Sequence, residues 1–223
     1  MKRKTLLSWS SGKDSAWSLY KLQQNSQFDL VGLFSTVSGE SACVGSHGVR
    51  VELLYEQAKS IGLPLEVIEM PYPCSNDKYE EILRQFVDRM KGQGVECIAF
   101  GDLFLEDIRE YREKTLESSG VEAIFPIWGM PTDRLSKEMV RSGLRTVITC
   151  VNSKRASQEL IGREFDQDFL SLLPETVDPC GENGEFHSFV FDGPMFKNPI
   201  EIQRGEIINR EGFVFIDITT KSI

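Results

Sequence analysis

Six consecutive residues, Ser10-Ser11-Gly12-Lys13-Asp14-Ser15, put three hydroxyls, a glycine, a lysine and an aspartate at one bend. A helix starting there frees backbone N–H groups that carry partial positive charge, and Gly12 lets an anionic oxygen approach the chain closely. Ser10, Ser11 and Ser15 add hydroxyl donors, and Lys13 adds a full charge. Asp14 has the chemistry to hold Mg2+ or to orient the neighbouring donors. The bend is suited to capturing a phosphate-like anion and stabilising charge that develops on it. It is not a Walker A loop, whose spacing needs a glycine where Leu7 stands. The plainer alternative is a helix cap, with Ser11 or Asp14 satisfying backbone N–H groups. The place of the bend, after the first apolar strand of an alternating chain, favours the anion site.

A second dense stretch is Gly181-Glu182-Asn183-Gly184-Glu185-Phe186-His187. Glycines among carboxylates, an amide and an imidazole suit a loop that brings backbone and polar groups onto a ligand. A β-turn at Asn183-Gly184 with exposed acids is the alternative. A third group, Asp102, Glu106, Asp107, Arg109 and Glu113, follows an expected strand; these are metal or substrate ligands, or solvated helix charges. His47 and His187 are the only histidines, and with Cys43 and Cys180 they have no recognised zinc spacing. Trp9, Trp17 and Trp128 read as core.

These groups need elements to position them. Apolar, β-branched runs predict strands at 4–9, 28–37, 63–70, 95–101 and 121–128. Helical spacing predicts helices at 13–25, 49–61 and 105–119, and one capped by Asp77 that runs to about Met90. Near-continuous apolar strands alternating with helices predict an α/β fold, a parallel five-stranded sheet with helices on both faces. Ligands in such sheets bind at the carboxyl ends of strands, so 8–15, 35–48 and 101–113 should converge on one cleft. After Pro131 the rhythm changes. A helix at 132–142, a strand at 144–151, a helix at 165–172 and strand-like runs in the last third predict a smaller α/β C-terminal unit. The expected division is 1–128 and 129–223.

Composition narrows the partners. At 223 residues and 40% hydrophobic, the chain can bury a sizeable core. A net charge of −9 weighs against nucleic acid and suits a small-molecule or protein substrate. The five cysteines are scattered, with no C-x-x-C pair, as in a reducing compartment. "MKRKTLL" starts like a signal peptide, but the apolar run breaks after Leu7, and no stretch reaches membrane-span length. A cytoplasmic protein without membrane contact is expected, with a homodimer open to it.

The order S-[GS]-G-K-D-S resembles the pyrophosphate loop of the adenine-nucleotide α-hydrolase enzymes, with Ser11 where the usual motif has its first glycine. "SSGKDSAWSLY", "HGVRVELLYEQAKSIGLPLEV", "FGDLFLEDIREYRE", "FPIWGM", "LIGREFD" and "CGENGEFHSFVFDGPMF" together resemble the diphthine–ammonia ligase family, in order and over nearly the whole chain. The resemblance implies a Rossmann-like (HUP-type) nucleotide domain followed by a family-specific substrate domain, with ATP and Mg2+ as cofactors. It implies that a carboxylate is activated as its acyl-adenylate, pyrophosphate is released, and ammonia forms the amide. No glutaminase segment is visible, so free ammonia is the expected nitrogen source.

On this resemblance Ser10, Ser11, Gly12, Lys13 and Ser15 hold the phosphates, and Asp14 supports Mg2+ or the loop. Ser35 and Thr36 touch adenine or ribose through backbone groups. Asp102, Arg109 and Glu113 border the acceptor, together with Gly181, Glu182, Asn183, Gly184, Glu185 and His187. Lys13, Asp14 and Glu185 are the catalytic candidates. Three departures fall in substrate-facing loops: Asn183 where relatives carry glycine, Tyr111 where they place a second arginine, and His47-Gly48-Val49-Arg50 where they read H-T-P-N. The variants look like a bacterial branch, which would need an acceptor other than the archaeal and eukaryotic elongation factor. Two readings compete: a tRNA-modifying enzyme with the same loop, against which the acidic charge speaks, and an adenine-nucleotide-binding regulator without turnover.

Overall fold

The computed structural model describes residues 1–39, the backbone of 43–44, and residues 48–221. His47 and the Cys43 side chain, half of the zinc combination considered above, lie outside the described residues.

The central strand is β1 (Arg3–Ser8), paired in parallel with β2 (Phe28–Ser38) on one side. Helix α1 (Lys13–Gln24) connects them, burying Ala16, Trp17, Leu19 and Leu22. Two short strands, β3 (Cys43–Val44) and β4 (Val49–Arg50), hook antiparallel onto the end of β2. Helix α2 (Val51–Ile61) follows and stops at Gly62, which adopts φ 82°, a left-handed conformation that favours glycine. Strand β5 (Leu65–Met70) then pairs in parallel with β2.

Helix α3 (Asn76–Gly92) starts two residues earlier than a cap at Asp77 would give, because the Ser75 hydroxyl accepts the Lys78 N–H at 3.3 Å and caps it instead. The chain crosses to the other side of β1 for β6 (Cys97–Ala99), helix α4 (Glu106–Glu117) and β7 (Glu122–Ile124). Expected strand 121–128 is cut to three residues, since Pro126 has no N–H for the ladder and 126–129 turn away. The parallel order β5-β2-β1-β6-β7 therefore reverses direction at β1, and the crevice between the ends of β1 and β6 is the switch point.

Leu6 and Leu7 show why the sheet is buried on both sides. Leu6 packs with Phe34, Phe86, Ile98 and Leu116, under α3 and α4. Leu7 belongs to a second cluster with Trp17 and Leu54 that runs on into Val147 and Phe189 of the C-terminal unit. That unit contains α5 (Thr132–Arg141), β8 (Arg145–Asn152), α6 (Gln167–Leu172), β9 (Phe186–Asp192), β10 (Ile202–Arg210) and β11 (Phe213–Thr220). Its strands form one antiparallel sheet, in the order β10-β11-β8-β9.

Candidate active site

Between β1 and α1 the chain turns sharply. Ser11 sits at φ 72° with its side chain fully buried, and Gly12 caps α1 in an extended conformation. The left-handed angle explains why a glycine is usual at position 11: a Cβ there costs about 1–2 kcal/mol. The turn is held from behind. Buried Gln57 of α2 donates to the Ser11 carbonyl at 3.0 Å and to the Val190 carbonyl at 2.6 Å, and accepts the Trp9 indole N–H at 2.8 Å. The Val190 N–H also donates to the Ser11 carbonyl, at 3.0 Å, and the Lys13 N–H donates to the Ser188 hydroxyl at 3.2 Å. Strand β9 thus fastens the C-terminal unit to the loop. On the far side Gly101, just beyond β6, leaves no room for a Cβ, which would stand 2.9 Å from the Ser15 nitrogen.

The loop opens onto a polar chamber of about 220 Å3 lined by Ser10, Lys13, Asp14 and Ser15 from the loop, Asp102 after β6, and Gly181, Glu182 and His187 from the C-terminal unit. The Lys13 ammonium is 2.9 Å from Asp14 and lies over the Phe165 and Phe186 rings, at 5.8 and 5.4 Å. Burial works against its charge, but Asp14, Cys180 and Glu182 outweigh burial and hold the ammonium above the usual lysine range. Burial pushes the Asp14 carboxyl up against the pull of Lys13, and it raises Asp102 against the pull of Arg112. Glu182 accepts the Leu103 N–H at 2.7 Å; burial pushes its carboxyl up to about 7, opposed by that bond and reinforced by Asp14.

An apolar chamber of about 640 Å3 adjoins the polar one at the ends of β1, β2, β5 and β6, with Trp9, Thr36, Phe86, Phe100 and Tyr111 in its wall. Ser8, Ser10, Phe100 and Arg112 line both chambers and form the waist between them.

Several candidates fall elsewhere. Ser11 is behind the loop and shapes it, and Ser35 donates its hydroxyl to the Trp9 carbonyl while Thr36 reaches the apolar chamber. Arg109 and Glu113 do not line either chamber among the described residues. They pair with each other at 2.8 Å, one helical turn apart, with the guanidinium over Phe125 and Trp128. Arg112, on the neighbouring stripe of α4, is the arginine that reaches the cleft. Glu185 is buried, accepting the Asp178 N–H at 3.1 Å and the Asn183 amide at 3.2 Å, so it braces the 181–187 loop from inside. The Gly184 N–H donates to the Gly181 carbonyl at 3.0 Å, so the turn is centred on Glu182-Asn183, one residue before the one that the sequence offered, and Glu185 is buried where exposed acids were the alternative. Gly181 and Glu182 of this turn line the chamber. Trp17 is fully buried, and Trp9 is buried yet touches the apolar chamber. Sequence reasoning passed over Gln57, Gly101 and Ser188; only the glycine that closes the expected strand 95–101 carried a visible signal.

The fold and site define a doubly wound α/β protein whose Ser10–Ser15 loop opens onto a polar chamber at the switch point of a parallel sheet. Residues 2–123 match the sequence model of the diphthamide synthase N-terminal domain, and residues 131–222 match that of the C-terminal domain. The chain belongs to the diphthamide synthase family. Among curated proteins it is similar to the diphthine–ammonia ligases of Homo sapiens (23% identical over 188 residues, 78% of this chain and 69% of that protein) and Bos taurus (23% over 150 residues, 65% and 56%). That of Schizosaccharomyces pombe is 26% identical over 118 residues, 51% of this chain and 20% of that protein. The chain thus spans between about a fifth and just over two thirds of these relatives. Among the described residues no helix is long and apolar enough to cross a membrane.

Proposed function

We propose that this chain is an ATP-dependent ligase that adenylates a carboxylate, releases pyrophosphate and lets ammonia displace AMP to form an amide. The observation that carries this reading is the Ser10–Ser15 loop at the switch point, facing a polar chamber that shares Ser8, Ser10, Phe100 and Arg112 with an adjoining apolar one. Adenine and ribose suit the apolar chamber near Thr36, and the triphosphate tail suits the loop, beside Ser10, Lys13 and Ser15. Residues 1–128 then bind the nucleotide, and 129–223 supply the acceptor side through Gly181, Glu182 and His187.

In the first step an acceptor carboxylate oxygen attacks the α-phosphorus, and pyrophosphate leaves with its charge held by Lys13 and the loop donors. In the second step ammonia attacks the acyl carbon, loses a proton, and AMP departs. Glu182, with its carboxyl near 7, is matched to taking that proton at neutral pH. Asp14 fits a Mg2+ ion: its Oδ1 is buried and has no hydrogen-bond partner. Among the described residues no group of three or more His, Cys, Asp and Glu side chains could hold a metal ion, so phosphate oxygens and water would complete the coordination. When bound, the ion would supply neutralisation of phosphate charge.

A diphthine-like acceptor is the one that the relatives' names supply, and other carboxylates are the remaining arms of the test. Incubation with ATP, Mg2+, ammonium and each acceptor should yield AMP and pyrophosphate in equal amounts, dependent on acceptor. Formation of ADP and phosphate instead would overturn the reading.

A further inference from the structure

Arg112 stands out among the residues the sequence left without a role. Four described residues line both chambers, and of Ser8, Ser10, Phe100 and Arg112 only the arginine is charged. Its guanidinium lies over the Phe100 ring at 4.9 Å, which fixes the plane of the fork. Its Nε faces Asp102 Oδ2 at 3.6 Å, too far for a hydrogen bond, and neither buried atom has a hydrogen-bond partner. Buried polar atoms are rarely left in that state, and a guanidinium whose Nε has only this ion pair, at the wall of a cleft, keeps donor capacity for an anion.

Geometry says which anion. A nucleotide with its base in the apolar chamber and its tail on the loop must carry its α-phosphate through the waist. We propose, resting on the ligase reading above, that Arg112 is a catalytic residue that binds the α-phosphoryl group, with Asp102 as the residue that positions it. Charge accumulates on that group as the carboxylate attacks and again as AMP leaves. A fixed guanidinium there stabilises both transition states. The tail beyond the α-phosphate is held by Lys13 and the loop, so Arg112 should matter little to adenosine itself.

The test measures binding of adenosine and of α,β-methylene-ATP to the wild-type chain, Arg112→Lys and Arg112→Gln, after circular dichroism confirms that all three are folded. Arg112→Gln should bind α,β-methylene-ATP about 10-fold to 100-fold more weakly, in line with a lost charge-assisted pair. Arg112→Lys should fall between, because it keeps charge and loses the fork, and adenosine affinity should stay within about 3-fold. Equal affinity of wild type and variants for α,β-methylene-ATP would overturn the proposal alone. Parallel loss of adenosine would also overturn it, by making Arg112 a wall of the apolar chamber. A wild-type chain that binds neither ligand would overturn the ligase reading and this proposal together.

Discussion

Replacing Gln57 by leucine should loosen the Ser10–Ser15 loop while leaving the sheet intact. The side chain is fully buried and serves three groups: the Trp9 indole N–H, the Ser11 carbonyl and the Val190 carbonyl. Leucine keeps the volume and makes none of these bonds. The Ser11 carbonyl would still accept the Val190 N–H, leaving two orphaned groups, the indole N–H and the Val190 carbonyl. A buried group stripped of its partner costs about 1–3 kcal/mol, so the two together should cost about 2–6 kcal/mol. In a chain of this size each kcal/mol moves the melting temperature by about 2–4 °C, which sets a minimum fall of about 4 °C. Thermal unfolding followed by circular dichroism gives that number, and affinity for α,β-methylene-ATP should fall in the same variant. Melting within about 1 °C of wild type, with affinity unchanged, would refute the claim that this clamp preorganises the loop.

Three further outcomes follow from the same geometry. Lys13→Met keeps an apolar stem against Phe165 and Phe186 but removes the charge, so AMP formation should drop by at least about 100-fold with the far-ultraviolet spectrum unchanged; pyrophosphate release measures it. Gly101→Ala would drive a Cβ to 2.9 Å from the Ser15 nitrogen, so it should destabilise the fold by about 1–3 kcal/mol and abolish nucleotide binding, as read by denaturant titration and equilibrium dialysis. Glu182 sets a pH dependence. With its folded carboxyl near 7 and an unfolded value of 4.5, the native state binds the extra proton between those limits, so stability must fall as pH rises through that window. Glu182→Gln should flatten that fall, and melting curves of the two proteins that stay parallel from pH 5 to pH 8 would contradict the assignment.

The strands were readable where burial is two-sided. The run at 28–37 is apolar almost throughout and becomes an eleven-residue strand between β1 and β5. The run at 121–128 misled because Phe125, Ile127 and Trp128 are apolar for another reason: Phe125 and Trp128 hold Arg109 from below, and Ile127 is buried in a turn. The Ser10–Ser15 bend was legible because its signal is local, small polar residues and a glycine between a strand and a helix. The 181–187 loop was only half legible. Gly181, Glu182 and His187 reach the chamber, whereas Glu185 turns inward, and composition alone does not separate neighbours on a tight turn. Arg109 and Arg112 are three residues apart on one helix, and which of them faces the cleft is decided by how α4 docks on α3 and β7. Gln57 and Ser188 were invisible for a similar reason: their partners lie 46 and 175 positions away.

The central claim is that the Ser10–Ser15 loop cradles a nucleotide's phosphates at the switch point of the sheet. A crystal structure with α,β-methylene-ATP and Mg2+ tests it directly. The account predicts phosphate oxygens within hydrogen-bond distance of the loop N–H groups and the Ser10 or Ser15 hydroxyl, with adenine in the apolar chamber. A triphosphate lying away from this loop, or adenine seated against Gly181 and His187, would contradict it.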